Sequence, residues 1–169
     1  MRKYLPAILI IILILLTACS EESTEPQTNL KLKISPSEQT IAINEPATFS
    51  VKIENVTDLF AVSGEITFDN TMIELPENPV TKGEFWNGEP LLEYINESGC
   101  LNICIGLIQT ENDDGIGGDG ILFYFTVKGI DVGENIFTIE NLKLINENGG
   151  QVLGFDDIEV SYANLIVGN

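Results

Sequence analysis

Across 169 residues, 26 aspartates and glutamates outweigh 8 lysines and arginines, giving a formal net charge of −18, and histidine is absent. Nucleic acid is excluded as a partner, because a phosphate-binding surface needs a basic stripe whose cations release counterions. Missing histidine removes the commonest general base and zinc ligand, and the negative field favours cationic or calcium-carrying partners while keeping the body soluble.

The chain begins with Arg2 and Lys3, continues in an all-aliphatic run from Ala7 to Leu16 and reaches Leu16-Thr17-Ala18-Cys19. A basic start, an apolar stretch and small residues before a cut are the layout of a secretory signal. The run is too short for a transmembrane helix, which needs roughly 20 apolar residues. Leu-Thr-Ala-Cys resembles the bacterial lipoprotein box. That resemblance implies that residues 1–18 are removed and that Cys19 becomes a lipidated N-terminus holding the protein to a membrane. Anionic headgroups would repel so acidic a domain, so attachment is expected to come from the lipid. Residues 19–29 then form the lipidated cysteine and an acidic tether with no apolar side chain to bury. Ser20-Glu21-Glu22 resembles the acidic export signal of some outer-leaflet lipoproteins, which places the protein at the outer membrane or cell surface of the envelope.

Residues 30–169 have the size of one domain with its own core. Their apolar residues recur with period two between Gly, Pro, Asn and Asp clusters, the pattern of half-buried strands. Strands are expected at Leu30–Ile34, Thr40–Ile43 and Ala47–Val56, the last with Phe49, Val51 and Ile53 on one face. In the next, Phe60, Val62, Gly64, Ile66 and Phe68 face one way and Ala61, Ser63, Glu65 and Thr67 the other. Met72–Leu75 is a short piece, and Pro76–Pro90 reads as a long connection. Leu91–Asn96 and Leu101–Ile108 look like a hairpin around Glu97-Ser98-Gly99. After an acidic loop at Glu111–Asp119, Ile121–Lys128 presents Ile121, Phe123, Phe125 and Val127 on one face, and Ile136–Ile145 and Ile158–Val167 complete the set. About nine strands with one apolar face each predict an all-β, two-sheet sandwich.

Cys100 and Cys104 lie four apart in a predicted strand, about 13 Å between Cα atoms. A disulfide needs about 7 Å or less. Two free thiols on one face are expected unless a tight turn intervenes.

Three segments, Ile66-Thr67-Phe68-Asp69-Asn70-Thr71-Met72-Ile73-Glu74-Leu75, Gly83-Glu84-Phe85 and Gly118-Asp119-Gly120-Ile121-Leu122-Phe123-Tyr124-Phe125-Thr126-Val127-Lys128, together resemble the cohesin module. Ile139–Val152, with its Asn-Gly-rich turn, is similar to the family's following strand. The resemblance runs from about Leu32 to Val167. It implies a jelly-roll sandwich that docks a dockerin, a small calcium-loaded helix pair carried by another protein, often a glycoside hydrolase of polysaccharide-degrading machinery. Calcium would belong to the partner, and this chain would need no cofactor or metal. Carried over by position, the partner-binding face comprises Ala61, Ser63, Glu65, Thr67, Glu93, Ile95, Asn102 and Cys104. Type I cohesins tend to place Asn and Asp near Ala61 and Ser63, and Asn70 replaces the usual Pro, so a divergent partner is implied.

Other features carry alternatives. Glu111-Asn112-Asp113-Asp114-Gly115 gathers oxygen ligands that calcium could use, but without the spacing of an EF-hand loop, and it reads as a solvated acidic turn like Asp156-Asp157. Trp86, with Tyr94, Tyr124 and Tyr162, could form a sugar platform and make the chain a carbohydrate-binding module. Trp86 reads more readily as a plug at one end of the sandwich with Phe85. A structural envelope lipoprotein is the third reading. No carboxylate pair stands out and no nucleophile lies beside a base, so an enzyme is not expected.

Overall fold

A computed structural model describes residues 29–108 and 114–169. The leader, Cys19, the tether up to residue 28 and Glu111-Asn112-Asp113 of the acidic loop lie outside the described residues.

The described residues form twelve strands: β1 Lys31–Ser35, β2 Glu38–Ala42, β3 Pro46–Leu59, β4 Ala61–Thr67, β5 Ile73–Glu74, β6 Val80–Lys82, β7 Leu91–Glu97, β8 Cys100–Gly106, β9 Ile116–Gly129, β10 Gly133–Ile145, β11 Glu159–Ser161 and β12 Ala163–Gly168. They form two six-stranded sheets. One runs β11-β1-β3-β9-β5, with β6 also paired to β9, and the other runs β2-β12-β10-β4-β8-β7. The two-sheet all-β architecture is as the alternation predicts.

The expected count of about nine is corrected to twelve, for identifiable reasons. β6 lies inside the predicted Pro76–Pro90 connection, where it pairs with Phe123–Phe125 of β9. The segment Ile158–Val167 is not one strand: it breaks at exposed Tyr162, with β11 pairing parallel to β1 in one sheet and β12 pairing parallel to β2 in the other. Both ends of the domain thus tie the two sheets together. β9 also begins at Ile116, inside the predicted acidic loop, and pairs there with Val56 and Leu59.

The inner faces meet in one core. Phe49, Phe125 and Phe137 are fully buried, with ring centroids 4.9 to 5.4 Å apart. Each such side chain contributes about 2 to 3 kcal/mol by leaving water. Val51, Ile53, Val62, Ile66, Leu101, Ile105, Leu144 and Leu165 fill the layer around them.

One register shift reorders β9. Phe123 pairs with Val51, but Ile121 pairs with Lys52, so two steps on β9 match one on β3 and Leu122 is the extra residue of a bulge. The shift moves Gly120 to the inner side, opposite Ile53, and turns Ile121 outward beside Lys52, correcting the expectation that Ile121 joins the Phe123–Phe125–Val127 face. The bulge carbonyls are answered from the connection before β7: Phe85 N–H donates to Ile121 O at 3.0 Å, Gly83 N–H to Leu122 O at 2.9 Å and Trp86 Nε1 to Leu122 O at 2.8 Å. Gly83-Glu84-Phe85 and Asp119-Gly120-Ile121, far apart in sequence, are therefore two halves of one junction. A Cβ on Gly83 would lie 2.0 Å from Ile121 O, and one on Gly120 would lie 3.0 Å from the Phe85 side chain.

Asp69-Asn70-Thr71 closes the end of β4. Asp69 Oδ1 accepts from Thr71 N–H at 2.9 Å and Thr71 Oγ1 at 2.6 Å, while Asp69 N–H donates to Oδ1 of buried Asn135 at 2.7 Å. This ties the turn to β10.

Candidate functional site

The two outer faces differ in how their charges are arranged. On the outside of β11-β1-β3-β9-β5, Lys31 pairs with Glu159 at 2.7 Å, Lys33 and Lys52 share Glu54 at 2.8 and 3.1 Å, and Lys128 pairs with Glu74 at 2.9 Å. The surface is self-neutralised. The outside of β2-β12-β10-β4-β8-β7 spans about 24 Å across its six strands at about 4.8 Å each, and it contains every expected partner-binding residue.

Ladder register places them in rows. Lys143, Ser63, Cys104 and Glu93 lie side by side on β10, β4, β8 and β7. The next row is Glu140, Glu65, Asn102 and Ile95, and the next is Thr138, Thr67, Cys100 and Glu97. Ala61 lies at the other end, between Ile145 and Gly106, with Leu91 beyond. Strand alternation causes this, since Val62 and Ile66 of β4 and Leu101, Ile103 and Ile105 of β8 are buried and send their neighbours outward. Ala61, Ser63, Glu65, Thr67 and Asn102 are half-buried, whereas Glu93, Ile95 and Cys104 are exposed.

A shallow depression of about 690 Å³ lies across the middle rows, lined by Ser63, Glu65, Glu93, Ile95, Asn102 and Cys104 together with Asn141, Lys143 and Gln151. The last three are additions to the expected set. Asn141 and Lys143 come from a bulge in β10, where Glu140 pairs with Glu65 and Lys143 with Ser63, three steps against two, with Asn141 in the left-handed region at φ 49. Gln151 lies beyond β10 and bridges to Ile145. Asn tolerates that conformation better than other non-glycine residues. Asn141 Nδ2 donates to Glu65 Oε2 at 2.8 Å and fixes that carboxylate over the depression.

Exposed apolar side chains flank the depression on this face, with Ile95 63% and Leu91 56% exposed on β7 and Ile136 52% exposed on β10. The centre is polar, built from Ser63, Asn102 and Cys104. Cys100 and Cys104 are free thiols on one side of β8, as the strand geometry requires. Burial pushes the Cys100 thiol up, and Glu65, Glu97 and Glu140 add to that shift through their charge.

The sugar-platform arrangement is not present. Trp86 is 4% exposed, donates to Leu122 O and packs edge-on against Phe85 at 5.4 Å, as a plug. Tyr124, on β9 of the other sheet, donates to Glu84 at 2.9 Å, and Tyr162 stands at the break between β11 and β12. Among the described residues, no group of three or more acidic or thiol side chains is gathered where it could hold a metal ion. Asp156 and Asp157 lie in a single 3-10 turn before β11.

With two packed sheets, an open six-stranded face and the Gly83–Ile121 junction in view, comparison with solved structures decides the fold. The domain has the cohesin fold. A non-cellulosomal cohesin from the hyperthermophilic archaeon Archaeoglobus fulgidus superposes with TM-score 0.66 at 18% identity, over 83% of this chain and 92% of that one. The third ScaC cohesin of Acetivibrio cellulolyticus, solved with the ScaB dockerin, gives TM-score 0.67 at 14% identity over 83% and 99%. The type I Coh-OlpC–Doc435 complex from Clostridium thermocellum gives 0.67 at 11% over 86% and 97%. No family model matches the sequence, and no curated protein does. The likeness therefore lies in the cohesin-fold backbone.

Proposed function

We propose that this chain is a lipid-anchored cohesin-like adaptor that docks a calcium-loaded dockerin-type protein at the cell envelope. The observation that carries the reading is the open face of β10, β4, β8 and β7 in a fold whose solved examples include cohesins complexed with dockerins. The face suits protein rather than a small molecule. It is broad and shallow, with exposed Ile95 and Leu91 beside half-buried polar groups, and a stable complex needs about 800 Å² per partner. Cys19, lipidated, supplies the membrane link, and residues 20–29 supply reach. The partner, in this reading, belongs to polysaccharide-degrading machinery, with a glycoside hydrolase as the expected cargo. The role is binding rather than catalysis.

The test is capture from the secretome of the source organism on immobilised full chain, with calcium and with chelator. Retention of a dockerin-bearing protein in calcium and its release by chelator is the expected result. Absence of any such protein in calcium contradicts the reading.

A further inference from the structure

The domain contains six lysines, and five of them are neutralised by glutamates: Lys31 by Glu159, Lys33 and Lys52 by Glu54, Lys82 by Glu89 and Lys128 by Glu74. None of these pairs lies on the open face. Lys143 pairs with no carboxylate among the described residues, and it is the only lysine on that face. Glu65 and Glu140 stand near it, and Glu93 and Glu97 lie three strands away on β7 of the same face, none with a cation of its own. Glu65 is held outward by Asn141 rather than by a lysine. The chain has thus spent its cations on the opposite sheet and the edges.

Carboxylates left in water cost nothing, but a partner that covers this face strips their water away. Without opposite charge to replace it, that desolvation is strongly unfavourable. A neutral or acidic contact surface is therefore a poor match, and a polybasic tail with no apolar group would leave Ile95 and Leu91 uncovered. Resting on the docking reading above, we infer that the partner is a protein whose contact surface carries lysine or arginine side chains around an apolar centre. Its cations answer Glu65 and Glu93 across the depression, and its apolar group covers Ile95.

The test measures binding of the full chain, in detergent, to recombinant calcium-loaded dockerin modules chosen to have either basic or acidic exposed helices. Modules with basic helices bind. Their affinity falls about tenfold between about 0.05 and about 0.5 M NaCl, as charges outside the Debye length are screened. Glu65→Lys and Glu93→Lys each weaken them about fivefold or more, while Asp157→Lys, the same charge change off the face, does not. Lys143→Gln tightens binding, a gain that misfolding does not produce. Salt-independent binding, equal binding of acidic modules or no effect of Lys143→Gln overturns the inference and leaves docking intact. Failure of every module to bind removes the docking reading and this inference with it.

Discussion

The indole nitrogen of Trp86 donates to the carbonyl of Leu122 at 2.8 Å, and that carbonyl belongs to the extra residue of the β9 bulge. The only tryptophan in the chain is thus spent on holding a distorted strand. Trp86→Phe keeps most of the buried area but leaves Leu122 O with only the Gly83 N–H. A loss of about 0.5 to 1.5 kcal/mol is expected, the net worth of one hydrogen bond when the carbonyl keeps another. Chemical denaturation of the two forms checks this, and an unchanged midpoint would mean that water replaces the indole.

Gly83→Ala should be worse. The added methyl would sit 2.0 Å from Ile121 O, a backbone atom that cannot rotate away. Junction and bulge must separate, at about 3 kcal/mol, the upper end for overpacking. Gly88→Ala is a poor control because its φ is 79, but Ser98→Ala in the β7–β8 turn should cost well under 1 kcal/mol, as surface substitutions do. Thermal melting of the three forms separates the effects.

Much of this could be seen in the sequence, for a physical reason. A strand with one dry face alternates, so β1, β3, β4, β7 and β8 and the outward residues Ala61, Ser63, Glu65 and Thr67 follow from parity, while Glu93, Ile95, Asn102 and Cys104 join them through the family resemblance. Parity fails at bulges. Thr138 and Glu140 face outward, then Lys143 and Ile145 do, because Asn141 absorbs one step. Parity therefore cannot place Lys143 at the site or Ile121 on its outer side, and Gln151 reaches the site from beyond β10 through its bridge to Ile145. β6 was hidden because Val80 is its only buried residue. The start of β9 was hidden because Ile116-Gly117-Gly118-Asp119-Gly120 reads as a loop, although Asp119 Oδ1 there accepts from Asn55 N–H at 2.7 Å. The break at Tyr162 leaves no mark in an alternating segment.

Acid should weaken the self-neutralised sheet in a way one substitution isolates. Hydrogen bonds from Lys33 and then Lys52 hold the Glu54 carboxyl below its ordinary value of 4.5. A carboxyl depressed in the folded state adds stability above its unfolded pKa and loses it as pH falls through the folded one. The melting temperature of the native chain should therefore exceed that of Glu54→Gln at pH 7, with the gap closing as pH falls below about 4.5. Comparing the two chains cancels the opposite effect of relieved repulsion among the other carboxylates. A gap independent of pH would show that the ion pairs contribute nothing through titration.

The proposed function requires the β10-β4-β8-β7 face to meet the partner, and one arginine on each outer face tests this. Cys104→Arg places a bulky cation at the centre of the β4–β8–β7 surface, and Thr48→Arg places the same group on the exposed opposite sheet. Capture of the proposed dockerin-bearing partner in calcium should be lost with Cys104→Arg and retained with Thr48→Arg, both chains melting within a few degrees of the native one. Loss with Thr48→Arg and retention with Cys104→Arg would contradict the assignment and move the interface to the other sheet.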